Sequence, residues 1–246
     1  MTVSQDNRYQ TASNLNFQGI NLNETTLFTR LREAAGGDWT KFTNHRFIKA
    51  LGNGTLAESC FRYYLIQDYL FLFHFSRAYA LAAYKAETLE DLRYSATAIN
   101  NIIDVELSLH VEYCLGWGIG VEDLSTEPED IATTAYTRFV LDCGHRGDLL
   151  DLATALAPCV TGYAEIGRAL AVDSATIRDD NPYVSWIDMY ASDEYQKVSG
   201  DSVTQLQELA NRRGGEMRFS ALSQVFNQAT RLETGFWEMG WNHQKL

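Results

Sequence analysis

Residues Phe61 to Tyr84 read FRYYLIQDYLFLFHFSRAYALAAY. Apolar and aromatic side chains fall on nearly every side of a 3.6-residue period, so a helix here has no solvent face and belongs in the middle of a bundle. Gln67, Asp68, His74 and Arg77 punctuate the run and exclude a membrane helix. The same period continues outward. Helices are expected at about 24–35, 39–51, 58–86, 88–118, 129–146, 148–172, 181–198, 200–213 and 216–241. Gly52-Asn53-Gly54, Gly116 with Gly118, Gly144 with Gly147, and Gly214-Gly215 supply stops between them. No stretch alternates apolar and polar residues between hairpin turns, so no sheet is expected. The fold class is all-α, one helical domain over residues 24–246 preceded by a polar arm, 1–23, that carries no period.

Composition supports a single core. Hydrophobic residues make up 46% of the 246 and aromatics 12%, and the three prolines, Pro128, Pro158 and Pro182, lie in no linker-like run. The formal net charge of -12 lacks the basic footprint that nucleic acid or an anionic membrane requires. The four cysteines, Cys60, Cys114, Cys143 and Cys159, show neither CxxC pairing nor zinc-like spacing. The opening MTVSQDNRYQ has no apolar signal core, and no apolar run reaches the length of a membrane span. The expectation is a cytoplasmic protein with reduced thiols.

Three residues stand out for chemistry. Cys159, in APCVTGYAEIG, follows Pro158 and reads as the opening of a helix, where the macrodipole lowers a thiol's pKa; Tyr163 lies four residues on, along the same face. Asp68 sits inside the apolar helix. Glu233 sits in ATRLETGFWEMGW, with Phe236 and Trp237 on its own face. A buried carboxylate is costly unless it is paired or used. The structural alternatives are a buried apolar thiol for Cys159, a bond to Arg77 or a neighbouring helix for Asp68, and an ion pair with Arg231 for Glu233. Together, two carboxylates and a thiol suit a pyrimidine: one carboxylate holds an N–C–N edge, a protonated carboxyl donates to a ring nitrogen, and the thiol adds to the activated carbon. Tyr136, Tyr163, Tyr190, Phe71 and Phe236 supply flat walls for such a ring.

The blocks HRFIKALGNGTLAESCFRYYLIQDYLFLFHFSRAYALAAYKA, TTAYTRFVLDCGHRGDLLDLATALAPCVTGYAEIG, NPYVSWIDMYASDEY and LETGFWEMGW resemble the thiaminase II (TenA) family, in the family's order, across about residues 39–241. The resemblance implies a haem-oxygenase-like helical bundle assembled as a homotetramer. It implies a hydrolase of thiamin salvage, a thiaminase II or aminopyrimidine aminohydrolase. Such an enzyme releases 4-amino-5-hydroxymethyl-2-methylpyrimidine from thiamin or its degradation products, with no metal or organic cofactor. On this resemblance Cys159 is the nucleophile and Glu233 the acid at the ring nitrogen. Asp68 anchors the 4-amino group and the adjacent nitrogen. Tyr136 and Tyr190 hydrogen-bond the catalytic groups, while Tyr163 and Phe236 line the pyrimidine pocket. Phe71 stands where some members carry tyrosine, keeping the ring and losing a hydroxyl. Cys159 places the chain with the cysteine-bearing branch.

Two other readings compete. One is a non-catalytic pyrimidine-binding or regulatory protein on the same fold. The other is a haem or di-iron oxygenase, for which Glu106 and His110, four apart beside Asp104, are the candidate ligands. His45, His74, His145 and His243 lack Glu-x-x-His partners, so Glu106 and His110 read as a structural hydrogen bond and no metal is expected. The acidic run Glu122, Asp123, Glu127, Glu129, Asp130 reads as a solvated loop and helix start.

Overall fold

The computed structural model describes residues 25–243, and every regular element among them is helical. The expected arm, 1–23, lies outside the described residues. In chain order the helices are α1 (Leu27–Ala35), α2 (Gly37–Thr43), α3 (Arg46–Gly52), α4 (Glu58–Lys85), α5 (Leu89–Asn101) and α6 (Leu107–Gly116). They continue as α7 (Val121–Thr126), α8 (Ile131–Arg146), α9 (Leu149–Val172), α10 (Val184–Ala191), α11 (Asp193–Arg212) and α12 (Gly215–Asn242). A π-helical turn, Ile102–Glu106, joins α5 to α6.

The long apolar segment forms α4, as the sequence dictates, and packs against α5, α6, α8 and α12. Its centre is enclosed, but contrary to the expectation of no solvent face it has an exposed edge, on which Arg62, Phe73, Arg77, Ala80 and Tyr84 lie. The second central helix is α9, packed against α8, α10, α11 and α12. Asp148 caps it, accepting from the Leu150 and Asp151 amides, and Arg218 of α12 holds Asp148 from the side. Two glycines bring neighbours onto α9. A Cβ on Gly162 would lie 2.0 Å from the Phe42 ring of α2, and one on Gly167 would lie 2.5 Å from the Tyr190 backbone. Gly162 sets how closely α2 approaches α9, and Gly167 how closely α10, and hence Tyr190, approaches it.

Several sequence expectations change. The helix expected at 148–172 is α9, so Cys159 does not open a helix: α9 begins ten residues earlier, and Pro158 lies inside it. Proline forfeits one backbone bond there, and burial on all sides outweighs the loss. By length and composition α9 is long and apolar enough to cross a membrane, contrary to the expectation that no run was; 83% of that window is buried against the rest of the protein. The expected helix 39–51 is broken at His45, whose Nδ1 accepts from the Phe47 amide at 3.2 Å while Nε2 meets Glu238 at 3.0 Å. The acidic loop contains α7, started by the Asp123 carboxylate on the Gly120 amide. The break expected near residue 199 falls at Ser192, whose hydroxyl caps α11; Gly200 lies buried inside that helix. The expected helix 88–118 is continuous in direction but carries the π-turn, which adds a residue to one turn.

Candidate active site

Five elements converge between α4 and α9. From α4 come Tyr64, Asp68 and Phe71, and from α8 comes Tyr136. Cys159 and Tyr163 come from α9, Tyr190 from α10, and Glu233 and Phe236 from α12. Asp68 is 3% exposed, Glu233 1% and Cys159 8%, so their charges and protons are governed by one another rather than by water.

Glu233 accepts from the Tyr136 hydroxyl at 2.8 Å, and the Cys159 thiol acts on it as a neighbouring donor. Burial raises its pKa, and the Asp68 charge adds to this. The Tyr136 and Cys159 donors only partly offset the rise, leaving Glu233 pushed up to about 8. Glu233 is therefore mainly a neutral carboxyl at pH 7. Cys159 is pushed well above its usual range, first by burial and then by the Glu233, Glu106 and Asp68 charges. The helix-dipole activation expected from the sequence is overturned: the thiol sits mid-helix, ringed by carboxylates, and rests protonated. The ion pair with Arg231 that was the alternative reading of Glu233 does not form, since Arg231 bonds Asp38 at 2.7 Å.

Asp68 has no contact with Arg77, which meets His74 instead. Its Oδ2 accepts from the Tyr64 hydroxyl at 2.8 Å and meets His110 Nε2 at 2.7 Å. Tyr64 spends its one proton there. The Tyr163 hydroxyl, 3.5 Å from that of Tyr64, and the Trp186 indole, at 3.3 Å, are then the donors to Tyr64 oxygen. His110 Nδ1 lies 2.6 Å from the Glu106 carbonyl, which can only accept. Burial works against an imidazolium here, but the Asp68 bond and charge, with the Glu106 carbonyl and carboxylate, outweigh it and hold the His110 pKa above 6.5. Both His110 nitrogens are occupied, so neither is open to a metal. The Glu106–His110 bond expected from the sequence exists, but through the Glu106 backbone, and its purpose is to carry His110 to Asp68.

This pair makes a stability prediction. With its pKa raised on folding, His110 contributes stability that is complete below about 6.5 and lost as pH rises through the folded value. His110→Asn should lower the melting temperature near pH 6, by the equivalent of about 3–5 kcal/mol for breaking a buried pair. It should also flatten the decline of Tm from pH 6.5 upward. Parallel Tm–pH curves for variant and wild type in differential scanning fluorimetry would contradict a charged His110.

The aromatic residues singled out in the sequence pack against one another. Phe71 lies 5.6 Å from Phe236 and 4.9 Å from Tyr136, ring centre to ring centre, and Tyr163 lies 4.9 Å from Tyr190. Tyr190 and Tyr195 act on the Glu106 carboxyl, partly offsetting the rise that burial gives its pKa. Sequence reasoning missed Tyr64, Trp186 and Tyr195, and read Glu106 and His110 only as a local pair. Tyr64 and Asp68 are four apart on α4, as are Trp186 and Tyr190 on α10, and that same-face spacing was the available signal.

Residues 33–243 match the TENA/THI-4/PQQC family model. The chain belongs to this family. Among family relatives, an aminopyrimidine aminohydrolase of Halalkalibacterium halodurans is 34% identical, with 87% of this chain and 95% of that one covered. An uncharacterized protein of Haemophilus influenzae is 38% identical over 87% of this chain and 98% of its own length. A Silicibacter crystal structure, named as a TenA family transcription regulator, superposes with a TM-score of 0.82 at 43% identity, covering 87% of this chain and 96% of that one. The family's all-helical bundle is the fold seen here.

Proposed function

We propose that this member of the TENA/THI-4/PQQC family is an aminopyrimidine aminohydrolase of the cysteine-bearing branch, a thiaminase II acting in thiamin salvage. The observation that carries the reading is the Cys159–Glu233–Tyr136 chain facing Asp68 in one desolvated site. The name of the 34%-identical relative agrees with it. Asp68 binds the 4-amino group and the adjacent ring nitrogen through Oδ1, since Tyr64 and His110 both occupy Oδ2. Phe71 and Phe236 enclose the ring.

Glu233 gives its proton to the other ring nitrogen, and its carboxylate takes the proton from Cys159 as sulfur bonds to the ring carbon. A neutral Glu233 beside a protonated thiol is the correct starting state for that exchange. The electron pair placed in the ring expels the exocyclic nitrogen, breaking the C–N bond and leaving an exocyclic methylene. Water adds its oxygen to that carbon and loses a proton to the departed amine. The C–S bond then breaks and the thiol is restored. Net, one water replaces one amine, and no electrons are gained or lost.

A homotetramer belongs to this reading, and Leu89, Leu92, Ile103, Val105, Leu115 and Val121 present exposed apolar surface for it to cover. Light scattering from a monomer at micromolar concentration would contradict the assembly. The relative named as a regulator gives the second reading, pyrimidine binding without turnover. Purified protein is offered thiamin, the aminomethylpyrimidine and its N-formyl derivative, with products identified by mass spectrometry. Hydroxymethylpyrimidine from at least one supports the hydrolase; binding with no release from any supports the second reading.

A further inference from the structure

His110 is fully enclosed and takes no part in the bond-breaking steps above, yet its Nε2 meets Asp68 Oδ2 at 2.7 Å. It is the only basic side chain within 4 Å of that carboxylate among the described residues. The Tyr64 hydroxyl donates to the same oxygen at 2.8 Å. Oδ1 receives no hydrogen bond from any described residue. His110 Nδ1 donates to the Glu106 carbonyl at 2.6 Å, so one imidazole proton is committed there and the other lies between Nε2 and Asp68.

The π-turn aims this histidine. Its extra residue rotates all that follows by about 100°, the step of one residue on a 3.6-residue helix. Beyond it, His110 and Cys114, four apart, are the buried residues of α6, the helix that packs against α4. Without that extra residue a different face of α6 would turn inward and His110 would leave Asp68. Tyr64 reaches the carboxylate from one turn earlier on α4, and His110 reaches it from α6. Gripped on one oxygen from two directions, the carboxylate cannot turn about its last bond, and the oxygen left free is always Oδ1. Paired with an imidazolium, that oxygen is an acceptor with no proton to give.

We propose that His110 is a positioning residue that makes the site select 4-aminopyrimidines over their 4-oxo counterparts, by holding Asp68 so that an acceptor-only Oδ1 meets ring position 4. The assignment rests on the pyrimidine placement in the hydrolase reading above and names the substrate class that site accepts. A 4-amino group presents N–H to Oδ1 and gains a charge-assisted bond. A 4-oxo group presents a carbonyl oxygen there, and two acceptors meet in a desolvated site. The discrimination depends on the imidazolium. A buried carboxylate without its cation takes up a proton. Tyr64 still donates to Oδ2, so the proton falls on Oδ1, and a carboxyl O–H there can donate to a carbonyl oxygen.

The test is calorimetry with 4-amino-5-hydroxymethyl-2-methylpyrimidine and with its 4-oxo counterpart, on wild type, His110→Leu and His110→Gln. Wild type should bind the amino compound about a hundredfold or more tightly than the 4-oxo compound, the scale of a charge-assisted bond set against an unpaired buried acceptor. His110→Leu fills the space without a donor. There the amino compound should weaken roughly ten- to a hundredfold while the 4-oxo compound binds as well as before or better, so the preference shrinks by about tenfold or more. His110→Gln returns a neutral N–H to Oδ2 and should show an intermediate preference. Should His110→Leu not fold, the reduced preference in His110→Gln is the readout. A general loosening of the core weakens both ligands together and does not spare the 4-oxo compound. Equal losses on both ligands, or an unchanged preference in both variants, would overturn the role of His110 while leaving the hydrolase reading standing. So would a wild type that binds the two compounds alike. A wild type that binds neither would bring down the hydrolase reading and this one with it.

Discussion

Cys159→Ser is expected to fold as the wild type does and to lose pyrimidine release by about a hundredfold or more, the scale for removing the nucleophile from a cooperating set. The swap changes one buried atom and leaves α9, with its Asp148 cap and Gly162 and Gly167 contacts, intact. Serine is a poorer leaving group from the ring and a weaker nucleophile, and Glu233 cannot compensate for either. The remaining cysteines are controls. Cys60 and Cys114 are fully enclosed, and Cys143 nearly so. Burial raises the Cys114 and Cys143 thiols to about 11. Serine at these three positions should lower Tm and leave kcat near its wild-type value. Near-wild-type turnover by purified Cys159→Ser would sink covalent catalysis.

Glu233→Gln should separate function from stability. A glutamine at this position can neither give a proton to the ring nitrogen nor take one from the thiol. The loss in kcat should therefore be on the order of 100- to 10,000-fold, as for a general acid–base group. Stability moves the other way. Folding raises the Glu233 pKa from 4.5 to about 8, so its contribution is complete below 4.5 and is lost as pH rises through 8. At about 1.4 kcal/mol per unit, keeping this carboxylate ionised in the core costs several kcal/mol at alkaline pH. Glu233→Gln removes that cost. Its Tm should exceed that of wild type at pH 9 and differ little at pH 5. The wild-type rate should fall above about pH 8, where the acid is lost. A Gln variant less stable than wild type at pH 9 would show that Glu233 is a structural hydrogen-bonder rather than a strained acid.

The fold was legible because its signals are redundant. Phe61–Tyr84 is apolar all round and has one physical solution, and the glycine stops at Gly52, Gly147 and Gly214 agree with the period. What was misread has particular causes. Pro158 was taken as a helix boundary on local grounds, yet seventeen residues of α9 are buried and tertiary packing decides the matter. The break at His45 depends on Glu238, 193 positions away in the chain. No local pattern contains it. The environment of Cys159 was misread for the same reason, because the carboxylates around it come from α4, the π-turn and α12. Asp68, Cys159 and Glu233 were visible as polar residues in apolar company. Their partners were less so. Tyr64 was hidden in an aromatic stripe, and Glu106 and His110 resembled a local pair until folding set His110 against Asp68.

The central claim is that an aminopyrimidine sits with its amino edge on Asp68, and one titration tests it directly. Calorimetry with 4-amino-5-hydroxymethyl-2-methylpyrimidine is run on wild type and on Asp68→Asn. Asparagine keeps the shape but turns an amide NH2 toward the ligand's own amino hydrogens, and it weakens the bond from His110. The account predicts clear binding to wild type and an affinity for Asp68→Asn lower by roughly ten- to a thousandfold, the cost of losing a charge-assisted bond and leaving a buried donor unpaired. Equal affinity in the two proteins, accompanied by a lowered Tm in the variant, would make Asp68 a scaffold residue and place the pyrimidine elsewhere.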